Sequence, residues 1–119
     1  MPAINGLEQR EILERTDFLG EQGYHLTDRS LQGFSFSDGK ICFNIFYERR
    51  VDASDVTVKF MRENENFSVG WLSRMMDGNK NVDIHNKLNN VLYLLDFIKN
   101  NFIKITDYNF CKKTMQDVK

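Results

Sequence analysis

Cysteine, histidine and proline are scarce in this chain. Its 119 residues include two cysteines, two histidines and one proline. Cys42 and Cys111 are too few for a disulfide scaffold and lack the spacing of a redox or zinc motif, so we predict that both are reduced and structural. Neither His25 nor His85 has a second ligand beside it at metal spacing. The sequence therefore predicts no metal site and no cofactor.

Long apolar runs and a dominant charge are also missing. No stretch approaches the roughly 20 apolar residues that a membrane helix needs, and residues 1–10 include polar and acidic side chains where a secretory signal has its apolar core. We therefore expect a cytoplasmic protein without membrane contact. The formal net charge of −1, from 16 basic and 17 acidic residues, gives no overall field for nucleic acid. Hydrolase, metalloprotease and nucleotide-binding fingerprints are absent from the sequence, which favours a non-enzymatic function.

Four segments between residues 31 and 74 alternate apolar and polar residues, which is the period of a strand with one buried face. Turn residues separate them, including Asp38-Gly39, a dipeptide that favours tight hairpins. The pattern predicts a four-stranded antiparallel meander. Closing each hairpin at its own turn pairs three sets of apolar residues: Phe36 with Ile41, Ile45 with Val58, and Phe60 with Val69.

The second face of the predicted sheet is not uniformly polar. One row across it holds Leu31, Phe46, Thr57 and Leu72, and the neighbouring row places Lys59 between two glycines. An exposed apolar row needs a cover or a partner, and arginines at strand ends suit forked bonds to a partner. We therefore predict a partner-binding surface with these members: Leu31, Phe46, Lys59, Leu72, Arg49 and Arg50.

Helices are predicted on both sides of the meander. The first runs from about Asn5 to Leu19 and ends near Gly20 and Gly23. The second, much longer, carries a broad apolar stripe over residues 83–103 and is expected to cover the apolar face of the sheet. A single α+β domain over residues 1–119 follows from this order of elements.

The far side of the long helix carries Tyr93 and Phe97, four residues apart. A short final helix, capped by the Thr106 hydroxyl, would cover them with Tyr108 and other apolar side chains. The alternative is an exposed aromatic patch that binds a partner or a second copy of the chain. Tyr93 and Phe97 are thus the second candidate surface.

Two blocks of the sequence resemble small bacterial immunity proteins that are encoded beside polymorphic toxins. They are DVTVKFMRENENFSVGWLSRM at residues 55–75 and KLNNVLYLLDFIKNNFIKITDYNFCKK at residues 87–113. The resemblance implies specific binding of one cognate toxin domain and inhibition by occlusion rather than turnover. Two other functions stay open: a homo-oligomeric regulatory or adaptor domain, and a small-molecule or nucleotide-binding domain with a pocket between sheet and helix.

Overall fold

The fold is an antiparallel five-stranded sheet with helices packed on one face. A computed structural model describes residues 6–30, 33–48, 53–77 and 87–116. The strands follow one another in the order of the chain across the sheet: β1 (His25–Ser30), β2 (Gly33–Ser37), β3 (Ile41–Glu48), β4 (Ala53–Phe60) and β5 (Glu65–Ser68). The helices are α1 (Gly6–Arg15), α2 (Asp17–Glu21), α3 (Val69–Asp77), α4 (Lys87–Asn100), α5 (Phe102–Ile105) and α6 (Tyr108–Gln116). The predicted α+β class and antiparallel meander are confirmed.

The first and last strands differ from the prediction. β1 was not predicted, because its sequence HLTDRS contains one apolar residue, Leu26, and so shows no alternation. It pairs with β2 through a register irregularity between Leu26 and Asp28. At the other edge, β5 ends at Ser68 and the chain turns into α3. The prediction that the fourth meander strand continues through Trp71 was therefore wrong.

The predicted strand register was also wrong, although Phe36, Ile45 and Phe60 lie on the predicted buried face. Phe36 pairs with Phe43, Ile45 with Val56, and Phe60 with Glu65. Every partner is displaced by two or four residues, and an even displacement keeps the face, because side chains alternate with a period of two.

The β2–β3 hairpin shows the cause of the displacement. Its turn is centred on Gly39-Lys40 rather than Asp38-Gly39, with the Asp38 N–H donating to the Ile41 carbonyl at 3.3 Å. Gly39 has a φ of +94°, which glycine adopts without steric cost. The Asp38 carboxylate accepts hydrogen bonds from the N–H groups of Lys40 and Ile41, each at 2.9 Å.

The apolar face of the sheet forms the core with the helices. Phe43 at its centre is fully buried, and its ring lies 5.3 Å from Tyr24 and 6.3 Å from Phe102 of α5. Helix α4 packs on β3 and β4, and α1 packs on α4. The long helix is therefore the cover that its apolar stripe predicts.

The N-terminal helix is interrupted once before it ends. Thr16 separates α1 from α2, and its hydroxyl donates to the Leu13 carbonyl at 2.7 Å. The end is a Schellman motif, since the Tyr24 N–H donates to Leu19 at 2.9 Å and the Gly23 N–H to Gly20 at 3.1 Å. Gly23 has a φ of +89°, so the predicted termination at Gly23 is confirmed, whereas Gly20 lies inside α2.

The C-terminal helices follow the prediction in outline and differ at their boundaries. Helix α4 ends at Asn100 and α5 is separate, while residues 83–86 of the predicted helix lie outside the described residues. Asp107 caps α6 instead of Thr106, because its carboxylate accepts from the Phe110 N–H at 3.2 Å. The Thr106 hydroxyl instead donates to the Phe102 carbonyl at 2.7 Å.

Candidate functional site

The centre of the sheet's outer face is polar. The register aligns Ser35, Asn44, Thr57 and Ser68 in one row from β2 to β5, and the Ser35 hydroxyl donates to Asn44 Oδ1 at 2.7 Å. The predicted apolar row was therefore wrong. Displaced strand pairings place polar side chains on both sides of Thr57.

The residues of the predicted partner-binding surface do not form one surface. Leu72 is fully buried in α3 rather than exposed on the sheet, which is a correction to the prediction. Phe46 and Lys59 do lie on the outer face, and the Phe46 side chain is 51% exposed. The other three members, Leu31, Arg49 and Arg50, lie outside the described residues.

Phe46 has a role within the sheet itself. It stands opposite Gly33 in the β2–β3 pairing, and a Cβ atom at Gly33 would lie 1.8 Å from the Ile45 carbonyl oxygen. Glycine is therefore required at this position. An aromatic residue opposite a strand glycine is a recurrent arrangement in sheets, and Phe46 has that position.

Lys59 lies between Cys42 and Asn66 in the strand register. Burial raises the pKa of the Cys42 thiol, and the nearby Lys59 charge and the hydrogen bond to Asn44 offset part of that rise. The cysteine is therefore not activated as a thiolate. Lys59 forms no ion pair with any residue in the described ranges.

Tyr93 and Phe97, the second candidate surface, stack on each other with ring centroids 6.5 Å apart. Phe97 is only 4% exposed and belongs to the core, while Tyr93 is half-buried against it. The exposed-patch alternative was therefore wrong for Phe97. Tyr108 of α6 packs on the sheet, with its ring 5.4 Å from Phe60 and 6.0 Å from Phe67.

A surface that the sequence pattern did not predict lies on α3. Trp71 and Met75 are 49% and 38% exposed, and the Arg74 guanidinium carbon lies 5.2 Å from the centroid of the Trp71 ring. We call these three residues the α3 surface. Aromatic residues, methionine and arginine are enriched at protein interfaces, and tryptophan and arginine contribute disproportionately to binding energy.

The start of α3 is fixed by two side chains. Ser68 is its N-cap, with the hydroxyl oxygen accepting from the Trp71 N–H at 3.2 Å. Asp55 of β4 accepts from the Ser68 hydroxyl at 2.7 Å and from the Gly70 N–H at 3.3 Å. A carboxylate at a helix N-terminus also interacts favourably with the helix dipole. The α3 surface is thus held on a helix that is anchored to the sheet.

The sequence contains a signal for α3 that the alternation of Phe67, Val69 and Trp71 obscured. Four residues recur with the spacing of a helix, i, i+3, i+4 and i+7: Val69, Leu72, Ser73 and Met76. The first three are buried and Met76 packs against the core. This spacing leaves the α3 surface on the opposite side.

A groove of about 600 Å³ lies at the end of the sheet where two hairpin turns meet the start of α6. It is lined by these residues: Gly39, Lys40, Ile41, Phe60, Met61, Arg62, Glu63, Thr106 and Tyr108. Beside it, Glu65 accepts hydrogen bonds from the Tyr108 hydroxyl at 2.7 Å and from Lys112 at 2.9 Å. Both bonds lower the pKa of the Glu65 carboxyl, and the bond from Lys112 has the larger effect.

Other chemistry among the described residues is sparse. No group of three histidine, cysteine or acidic side chains in these ranges could hold a metal ion. His25 is exposed on β1, and His85 lies outside the described residues. Of the helices that the structure describes, none has the length and apolar character to cross a bilayer. Comparison of the chain with models of protein families, with curated proteins and with solved structures found no match.

Proposed function

We propose that this chain is a non-enzymatic protein-binding domain and that the α3 surface contacts the partner. The observation that carries this proposal is the grouping of a half-exposed tryptophan, an arginine and a methionine on one helix side. Isolated exposed apolar residues are ordinary on soluble proteins, whereas Trp71 and Met75 are four residues apart and therefore adjoin on one side of α3. The N-cap and the Asp55 anchor hold this group on a rigid element, which reduces the entropic cost of binding.

We further propose that the partner is a cognate toxin domain, which the chain inhibits by occlusion. The support is the resemblance to immunity proteins described above. The first of the two resembling blocks, residues 55–75, contains the entire α3 surface. A toxin bound there would be blocked by steric exclusion, and no residue of this chain would have to react.

Co-expression tests this function directly. The chain is expected to protect cells from the toxin domain encoded by the adjacent gene and to co-purify with it, but to give no protection against unrelated toxins. Trp71→Ala should reduce both effects. Ile103→Ser is the matched control, because Ile103 is 85% exposed on α5 and lies outside the α3 surface. If the adjacent gene product neither binds nor is inhibited, the immunity function is wrong.

Self-association is the alternative use of the same surface. A homo-oligomer would elute earlier from size-exclusion chromatography as its concentration rises, whereas a monomer that awaits a different partner would not. If Trp71→Ala converted an oligomer to a monomer, the α3 surface would be a contact between copies.

The groove at the sheet end favours a second candidate function, the binding of a small anionic ligand. Two cations, Lys40 and Arg62, and one acidic residue, Glu63, line it. The two cations outnumber the single carboxylate, which favours a phosphate, and Ile41 and Phe60 would contact an apolar group. A ligand that binds the native state raises the melting temperature. A panel of nucleotides that raises it for the wild type, and not for Lys40→Ala, would support this function.

A further inference from the structure

The positive charge of Arg74 on the α3 surface indicates the chemistry of the partner. We infer that this surface binds an acidic, partly apolar protein surface, with a partner carboxylate on Arg74 and an apolar side chain against Trp71 and Met75. This inference rests on the proposed protein-binding function and deepens it by naming the partner chemistry.

Arg74 keeps its hydrogen-bond donors accessible to solvent. The exposed Arg74 side chain forms no ion pair or hydrogen bond with the side chains that the structure describes, and its contact is with the Trp71 ring. The contact with the ring pairs none of its five N–H donors with a carboxylate. Arginine binds carboxylates through two parallel hydrogen bonds, so the donors needed for such a pair are available to a partner.

Acidic groups of the chain do not neutralise this charge in the described residues. Asp55 lies at the start of α3, but its oxygens accept from the Ser68 hydroxyl and from the N–H groups of Val56 and Gly70. Elsewhere, Arg15 pairs with Asp96 at 2.7 Å. Among the described residues, Arg15 is therefore paired within the chain, whereas Arg74 faces solvent.

The apolar neighbours of Arg74 indicate that the partner presents an apolar side chain beside its carboxylate. Trp71 and Met75 are four residues apart and thus adjacent on one helix side. An apolar partner side chain placed against them would exclude water from the Arg74 pair, and a less hydrated pair interacts more strongly than an exposed one. A nucleic acid is disfavoured, because phosphate binding depends on several cations and the chain has a net charge of −1.

Fluorescence can test this chemistry, since Trp71 is the single tryptophan of the chain. The probes are three helical peptides of about 18 residues, a length that supports a helix in water. One carries leucine and glutamate on a shared face, the second leucine and lysine, and the third serine and glutamate. We expect the leucine–glutamate peptide to shift the Trp71 emission to shorter wavelength and to bind at least about fivefold more tightly than the other two.

Variants separate the charge from the apolar contact. Arg74→Gln should lower the affinity for the leucine–glutamate peptide by about two- to fivefold, the range of an exposed ion pair. It should also remove the salt dependence of that affinity. Arg74→Lys keeps the charge but loses the forked geometry of the guanidinium, so its affinity for the peptide should lie between those of the wild type and Arg74→Gln. Met75→Ala should lower the affinity for this peptide at every salt concentration, and Ile103→Ser should leave the affinity unchanged.

Each contrary outcome has a distinct meaning. Equal binding of the leucine–lysine peptide, or no peptide binding at all, would overturn the acidic partner chemistry while leaving the co-expression result untouched. A blue shift with anionic phosphatidylglycerol vesicles, and none with the peptides, would instead identify a membrane surface and would also overturn it. If co-expression gave no protection while the peptides bound as expected, the toxin would be rejected as the partner, but the acidic partner chemistry would stand.

Discussion

Two neighbouring residues of α3 give the sharpest test of the helix and of its orientation. Leu72 is fully buried, whereas Trp71 is half-exposed. Leu72→Ala should cost about 2 to 5 kcal/mol, because it removes apolar contacts and leaves a cavity in the core. For a chain of 119 residues, the entropy of unfolding is about 250 cal/mol/K, so a loss of 3 kcal/mol lowers the melting temperature by about 12 °C.

Trp71→Ala is the matched variant on the other side of the helix. It removes the contact with Arg74, worth about 0.5 to 1 kcal/mol at an exposed site, and should lower the melting temperature by about 2 to 4 °C. Thermal and urea unfolding followed by circular dichroism would measure both variants. Equal melting temperatures for Leu72→Ala and the wild type would refute the placement of Leu72 in the core. A large loss for Trp71→Ala would show that the α3 surface is covered within the chain.

Three further predictions concern a strand glycine, an ion pair and a buried thiol. Gly33→Ala should strongly destabilise the protein, because its Cβ would meet the Ile45 carbonyl; unchanged urea unfolding would contradict the β2–β3 register. Since Lys112 lowers the pKa of Glu65, that pair stabilises the fold above the ordinary carboxyl pKa of 4.5 and stops doing so as the pH falls through the lower folded value. Glu65→Gln should therefore lower the melting temperature at neutral pH and make no difference in strong acid, and a constant difference at all pH values would count against the pair. Burial raises the pKa of the Cys111 thiol to about 12, so Cys111 should resist a thiol reagent at neutral pH until the protein unfolds; rapid labelling of the native state would disprove its burial.

The sequence predicted the faces of the strands better than their partners. Alternation with a period of two identifies the buried side of β3 and β4, which carries Phe43 and Val58. It cannot distinguish registers that differ by two residues, because both place the same side chains inward. The turn decides between these registers. The β2–β3 turn, in which the Asp38 carboxylate accepts from the N–H groups of Lys40 and Ile41, is centred one residue later than predicted.

The candidate site was harder to predict than the fold. Phe67, Val69 and Trp71 continue the alternation of the sheet, so a strand explained them as well as a helix did. What decides is the Ser68 cap and its contact with Asp55, which comes from a different strand. That contact depends on the tertiary structure, and sequence spacing alone does not reveal that Leu72 is buried while Trp71 faces solvent.

The one-sided arrangement of the sheet has a consequence for synthesis on the ribosome. The sheet is complete at Ser68, but α4, which covers its apolar face, ends at Asn100. At about 5 to 20 residues per second, the intervening roughly 30 residues take about 2 to 6 s to emerge. Throughout that interval Phe43 and Val58 lack the cover of the C-terminal helices, so the nascent chain presents an apolar sheet face to chaperones and to other nascent chains before the mature protein exists.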